Sequence, residues 1–246
     1  MIKFDSDKQA IFDPNSLDFG ESFEKAVMVF DDEVWEDYVV PNKKLSSFEV
    51  KNIYGRVFDT FRVINVSGEN ILLVYPDMGG AASAMCLESL IASGVQKVVA
   101  FGTCGAMDKD IAKNTVIVPT TAFREEGLSY HYLPPSDEVA QNEKSIAAIK
   151  VALLDNGVDF IEGKIWTTDA VYRETRGKLQ SMKKAGGVAV DMELASLLAV
   201  AEFRGIRFAE FFIVQDNIDG KNPHQKPRNS ESFINISVDV LRGLAR

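Results

Sequence analysis

The stretch from Gly187 to Ile218, GVAVDMELASLLAVAEFRGIRFAEFFIVQDNI, decides how the rest of the chain is read. It opens on a short apolar run, Gly187–Val190, and closes on a second, Phe208–Val214, nearly continuous in Phe, Ile and Val. A strand reads that way when both of its faces are covered, as in a sheet packed between helices. Between the runs, Glu193–Arg204 predicts a helix that stops at Gly205, a residue suited to the left-handed conformation that ends helices. Strand, crossover helix and strand form the building unit of an α/β fold.

Working outward, the same alternation recurs. Ala26–Phe30, Arg56–Val66, Ile71–Pro76, Lys97–Phe101, Thr115–Pro119 and Ile161–Thr167 predict strands. Gly80–Ser93, Asn142–Asp155 and Arg176–Lys184 predict helices, each followed by glycine or Asn-Gly, and Glu231–Ala245 predicts a last one. No linker rich in Pro, Gly or Ser divides the 246 residues, and no internal repeat is visible. One domain over 1–246 with a mostly parallel or mixed sheet is expected. Residues 120–140 and 217–230 read as long irregular loops, where function tends to sit.

Bulk properties narrow the function. Hydrophobic residues at 46% supply a sizeable core, and a net charge of -9 argues against a nucleic-acid partner, which needs a clustered cationic surface. The two cysteines, Cys86 and Cys104, lack metal-ligand spacing and suit a reduced interior; no metal site is expected. MIKFDSDKQA has no apolar segment behind a basic start, and no apolar run approaches the roughly 20 residues that a membrane helix requires. A cytoplasmic protein without a membrane partner is expected.

In an open α/β sheet, ligands bind beyond the carboxyl ends of the strands. Four such places carry polar residues. Phe101-Gly-Thr-Cys-Gly-Ala106 follows KVVAF, so Gly102 and Gly105 predict a turn that brings amides near a ligand oxygen, with Thr103 adding a hydroxyl. Asp191 and Glu193 stand at a strand-to-helix junction, where one acid can cap the helix while the other accepts two bonds from a ribose diol. Asp216 follows FFIV, where desolvation would favour a proton-donating acid; a turn residue is the plainer reading. Trp166, in Ile165-Trp-Thr-Thr-Asp-Ala170, offers a ring for a planar base, although a core role is commoner.

Together these segments resemble the nucleoside phosphorylase family of purine nucleoside phosphorylases, uridine phosphorylases and related nucleosidases. The likeness runs from about residue 26 to the end, through Val98–Ala106, VPTTAFREEG, WTTDAVYRET, and DMELAS correctly spaced from VQDNI. It implies an α/β/α sandwich around a mixed, barrel-like central sheet. It implies cleavage of the bond between base and sugar, phosphate as co-substrate with no further cofactor, and assembly as a dimer, trimer or hexamer. By the same likeness Glu193 would grip the ribose diol, with Met192 packed on the sugar. Asp216 would protonate the departing base with help from Arg228; Trp166 and Arg176 would contact the base, and Gly102 and Thr103 the phosphate.

The phosphate site departs from the family pattern. The family's Gly-Asp-Pro-x-Arg turn after the first strand is replaced by Phe30-Asp-Asp-Glu-Val34, and Ala100 stands where an arginine precedes the glycine-threonine pair. Without those guanidiniums a dianion loses its charge-assisted bonds. Three readings follow. Lys43, Lys44, Arg56 or Arg124 holds phosphate instead; water attacks, placed by Asp31, Asp32, Asp77 or Glu125; or the chain binds nucleosides without turnover.

Overall fold

The computed structural model describes residues 4–14, 22–47, 50–51, 57–58, 61–218 and 230–244. Its strands are β1 (Lys25–Phe30), β2 (Ser46–Ser47), β3 (Val50–Lys51), β4 (Val57–Phe58), β5 (Phe61–Val66), β6 (Glu69–Val74), β7 (Lys97–Ala106), β8 (Val116–Glu125), β9 (Glu138–Ala140), β10 (Phe160–Thr168), β11 (Gly187–Asp191) and β12 (Arg207–Asn217). Its helices are α1 (Asp32–Val34), α2 (Gly80–Ala92), α3 (Ser129–Tyr132), α4 (Glu143–Asp155), α5 (Arg176–Lys184), α6 (Leu194–Arg204) and α7 (Ser230–Gly243). A π-helical turn over Trp35–Val39 continues α1.

The main sheet is mixed and closes on itself. β7 pairs with β12, β12 with β8, β8 with β10, β10 with β11, and β11 returns to β7, while β1, β6, β5 and β2 extend from β7 as an arm. Side chains alternate across each strand, so two apolar layers form. Val98, Ala100 and Cys104 of β7 pack with Leu87 and Leu90 of α2 and with Leu194, Leu197 and Leu198 of α6. Val99 and Phe101 pack on the other side with Ile149 and Leu153 of α4 and Phe233 and Leu241 of α7. This is the sandwich around a barrel-like sheet that the family likeness implies.

Two strands outrun their expected ends. β7 continues through Gly-Thr-Cys-Gly-Ala106 instead of turning there, because it is paired throughout: Gly102 lies opposite Phe30 of β1, and Gly105 opposite Val190 of β11. A Cβ on Gly102 would stand 2.6 Å from the Phe30 Cβ, and one on Gly105 would stand 2.7 Å from Ile218 Cγ2. The glycines therefore permit close strand approach and do not form a turn. β8 runs past Pro119 to Glu125, paired with β10, whose register slips between Gly163 and Lys164 beside that proline. Part of the 120–140 stretch, read as irregular, is β9, paired with β8.

Candidate functional site

The site is built where β11, β7 and β12 end side by side. Gly105 has Val190 opposite it on one flank and Asp216 on the other. A Cβ there would lie 3.2 Å from Val190 Cγ1 and 3.3 Å from Asp216 Oδ1. Asp191, Met192 and Glu193 follow Val190 directly, so the segment that begins α6 and the end of β12 flank a single residue. Burial pushes the Cys104 thiol well up, and the charges of Asp191 and Asp216 add to that shift. A register shift between Val214 and Asp216 breaks the alternation of β12, and Asp216 is exposed rather than desolvated as its sequence context suggests.

The two acids at the β11–α6 junction divide the work. Asp191 accepts from Glu193 N–H at 2.9 Å, Leu194 N–H at 2.6 Å and the Thr167 hydroxyl at 2.6 Å, so it caps α6. Glu193 makes no cap. Its Oε1 accepts from the Gly79 N–H at 2.6 Å, and Oε2 from the Met192 N–H at 3.3 Å. Four lone-pair sites on a carboxylate leave room for a diol beside those bonds. Burial, then the charge of Asp191, pushes Glu193 up to about 7; burial raises Asp191 to about 6 despite its three donors.

Gly79 escaped the sequence reading, yet it supplies the donor that fixes Glu193. Its φ of 97° is a conformation that favours glycine. A Cβ on Gly80 would sit 2.3 Å from Ser196 Oγ, so the start of α2 presses on α6. The available signal was a doubled glycine between an apolar strand and a helix.

On the base side, the expectations for Trp166 and Arg176 change. Trp166 is 0% exposed, packed with Met107, Phe123, Leu179 and Val190, and offers no ring face to a ligand. Its indole N–H instead donates to Glu125 Oε2 at 2.7 Å, and Lys178 of α5 donates to Oε1. Burial would raise Glu125, but bonds from Lys178, Trp166 and Thr168 outweigh it and hold the carboxyl below its usual range. Arg176, the first residue of α5, is exposed. Glu174 is half-buried; burial, then the charges of Asp216 and Glu125, raises its carboxyl.

Thr103, expected from the family likeness to meet the acceptor, lines a cleft of about 20 Å³ with Asp31, Glu33, Lys113, Asn114 and Gln215. That space suits one water molecule. Asp31 is buried, accepts from the Val34 N–H at 3.0 Å, and is raised by burial and by Glu33 and Asp32. Lys113 is a cation that the sequence reading did not single out. Among the cations it did name, Lys43 and Lys44 are exposed, and Arg56 lies outside the described residues, as does Arg228. Arg124 is buried and committed to Ser129 Oγ, Ser136 Oγ and the Pro134 carbonyl at 2.7–2.8 Å, which removes it as a phosphate ligand. Asp32 accepts from the Tyr75 hydroxyl, and Asp77 is exposed.

Glu210 of β12 is the most deeply buried acid near these groups. It lies opposite Ala100, is 0% exposed, and neither of its carboxyl oxygens meets a hydrogen-bond donor among the described residues. Burial, with Asp191 and Glu193 adding, raises it well above the carboxylate range. Among the described residues no group of three or more His, Cys, Asp or Glu is placed to hold a metal, and no helix is long and apolar enough to cross a membrane.

A closed mixed sheet with paired acids at adjoining strand ends defines a class, and comparison with known proteins gives the family. A model of the phosphorylase superfamily matches residues 26–246, and the chain belongs to that family. A guanosine phosphorylase of Halorubrum lacusprofundi is 26% identical over 196 residues, covering 75% of this chain and 81% of that protein. A DeoD-type purine nucleoside phosphorylase of Bacillus cereus is 28% identical over 178 residues, covering 70% and 76%. The fold is also that of an AMP nucleosidase from Bacteroides thetaiotaomicron, with a TM-score of 0.71, 21% identity, and coverage of 89% of this chain and 88% of that one.

Proposed function

We propose that this chain cleaves the N-glycosidic bond of purine nucleosides. The observation that carries the reading is the placement of Asp216 and the Asp191–Glu193 segment on either side of Gly105. Cleavage passes through an oxocarbenium-like sugar, so a site must hold the ribose, stabilise positive charge and neutralise the leaving base. Glu193 holds the diol, Met192 packs on the sugar, and Asp216, which is open to a ligand, gives a proton to the base. Arg228 assists that acid by family likeness alone.

Kinship with phosphorylases supports phosphate as the acceptor, Thr103 contributing a hydroxyl. One observation favours water instead: the cleft at Thr103 is small and carries two carboxylates, Asp31 and Glu33, against one ammonium, Lys113. Phosphate would meet net negative charge there, whereas a water molecule would find acceptors to orient it. The test is base release from a nucleoside panel with and without phosphate. Release that requires phosphate eliminates the hydrolytic reading; release without it eliminates the phosphorolytic one; tight binding without release eliminates catalysis. We further propose a cytoplasmic role in nucleoside salvage, without metal or organic cofactor, by a homo-oligomer.

A further inference from the structure

We infer that the hollow between the C-terminal ends of α2 and α6 is a binding site for a small organic carboxylate. The inference goes beyond the nucleoside-cleaving reading and does not depend on it.

The sequence makes the hollow. α2 is followed by Gly94 and α6 by Gly205, with φ of 100° and 76°, the left-handed conformation that stops a helix. Neither stop carries a side chain, and a Cβ added at either would meet nothing within 4 Å. α2 and α6 pack against each other, so the two bare stops come together over the starts of β7 and β12. Between them lies a cleft of about 290 Å³ whose apolar walls are Ile91, Val95 and Ile206. Apolar walls with a few polar groups, at close to this volume, are what small-molecule sites present.

Charge selects the ligand. The charged residues that line the cleft are both arginines, Arg204 and Arg207, and no acid lines it. Arg204 is largely committed: Nε donates to both Glu88 oxygens at 2.9 Å and Nη1 to the Lys8 carbonyl at 2.8 Å. Arg207 opens β12, is half-buried, and its guanidinium has no hydrogen-bond or ion-pair partner among the described residues. A guanidinium presents a planar fork of donors that matches a carboxylate, and the amide of Gln96, also in the lining, can add a donor. The ends of α2 and α6 carry partial negative charge, and Glu88 stands beside Arg204, so a dianion meets more opposition here than a monoanion does. The apolar walls call for an apolar body on that monoanion.

This cleft cannot compete with a nucleoside. It sits at the starts of β7 and β12, roughly 25 Å along the strands from Gly105 and Asp216 at 3.3 Å per residue.

Benzoate has the required carboxylate on an apolar ring. Calorimetry measures its binding to the full chain beside benzamide, which has the shape without the charge, and inorganic phosphate. Benzoate should bind saturably and about tenfold or more tighter than either, as a charge-assisted pair implies. Arg207→Gln should weaken benzoate about ten- to a hundredfold and leave benzamide unchanged. Arg207→Lys, which keeps the charge and loses the fork, should fall between. Glu193→Ala, at the far end of α6, should bind benzoate as the wild type does. A melting temperature for each variant confirms that it is folded. Absence of saturable binding would overturn the inference, as would benzoate affinity that survives Arg207→Gln, equal affinity for benzamide, or tighter binding of phosphate. Loss of benzoate in Glu193→Ala alone would put the ligand in the nucleoside site and overturn it too. Base release is scored separately, so its failure counts against the nucleoside-cleaving reading and not against this cleft.

Discussion

The proposed sugar end and the proposed acceptor end of this site both draw on β7, yet they differ in charge and in how their groups are held. At the sugar end, Glu193 is buried, fixed by the Gly79 N–H, and flanked across Gly105 by Asp216. At the proposed acceptor end, Thr103 stands among Asp31, Glu33 and Lys113, and the space would suit one water molecule. The charged groups around Thr103 come from other elements than those that fix Glu193, so one end can change its charge while the other keeps its geometry, and the two separate into testable halves.

Asp216→Asn should have the largest effect. General-acid help is worth about 100- to 10,000-fold, so kcat for a purine nucleoside should fall by that order while binding changes little. Equal losses in kcat and affinity would break the assignment and leave Asp216 as a binding residue. Glu193→Ala comes next. Bonds to a charged group are worth about 1.5–3 kcal/mol each, so loss of two should cost a riboside roughly a thousandfold in kcat/KM. A 2′,3′-dideoxy analogue should lose far less; matching losses would mean that Glu193 does not grip the diol.

Asp31→Ala probes the other half. If water is the acceptor, phosphate-independent release should drop about 100-fold, the lower range for a positioned base, with nucleoside affinity preserved. If phosphate is the acceptor, removing the acid should instead raise the rate at a given phosphate concentration. No change in either assay would place Asp31 in structure alone, as the cap on Val34.

The pH profile sharpens the contrast by about tenfold per unit. The carboxyl of Glu193 is pushed up to about 7 by burial and by Asp191, and a diol needs it ionised. Riboside affinity should weaken as pH falls through about 7, approaching tenfold per unit. The same raised carboxyl works oppositely on stability. Its contribution is fully present below the unfolded value near 4.5 and is lost as pH rises through about 7. Calorimetric titration of a riboside between pH 5 and 8 checks the binding slope, and a flat profile contradicts an ionised Glu193 as the diol ligand.

Legibility in the sequence followed the range of the interactions. The strand, helix and strand of Gly187–Ile218 were readable because periodicity and the Gly205 stop are local, and α5 spans the residues expected; their directions were not, since β11 runs antiparallel to β7 and β12 parallel to it. The GTCGA segment was misread as a turn, since two glycines look like one until partners on β1, β11 and β12 hold them extended. The division between Asp191 and Glu193 was stated as a choice; that Asp191 caps α6 while Glu193 takes the Gly79 N–H, 114 residues away in sequence, depends on tertiary contact. Trp166 was given a ring-stacking part because an aromatic at a strand end suits one; its burial, and the Glu125–Lys178 pair on its N–H, depend on three elements meeting. Lys113 carried no local signal at all.

The smallest expected effect on turnover belongs to Glu210→Gln, and it bears on how the two ends are separated. Glu210 lies opposite Ala100, where the family likeness places an arginine, and it is buried without a donor on either oxygen among the described residues. A carboxyl so placed stays protonated, because an unpaired charge in the interior costs far more than a proton. Its folded value is raised, so its contribution to stability is present below the unfolded value near 4.5 and falls as pH rises. Glutamine keeps the shape and removes the titration. The variant should match the wild type in thermal stability near pH 4 and exceed it by several degrees near pH 8, since each unit weighs about 1.4 kcal/mol. Turnover should stay within a few-fold, because the side chain touches neither sugar nor base. Wild type and variant with parallel melting profiles across that range would show that Glu210 is not a buried acid without a partner.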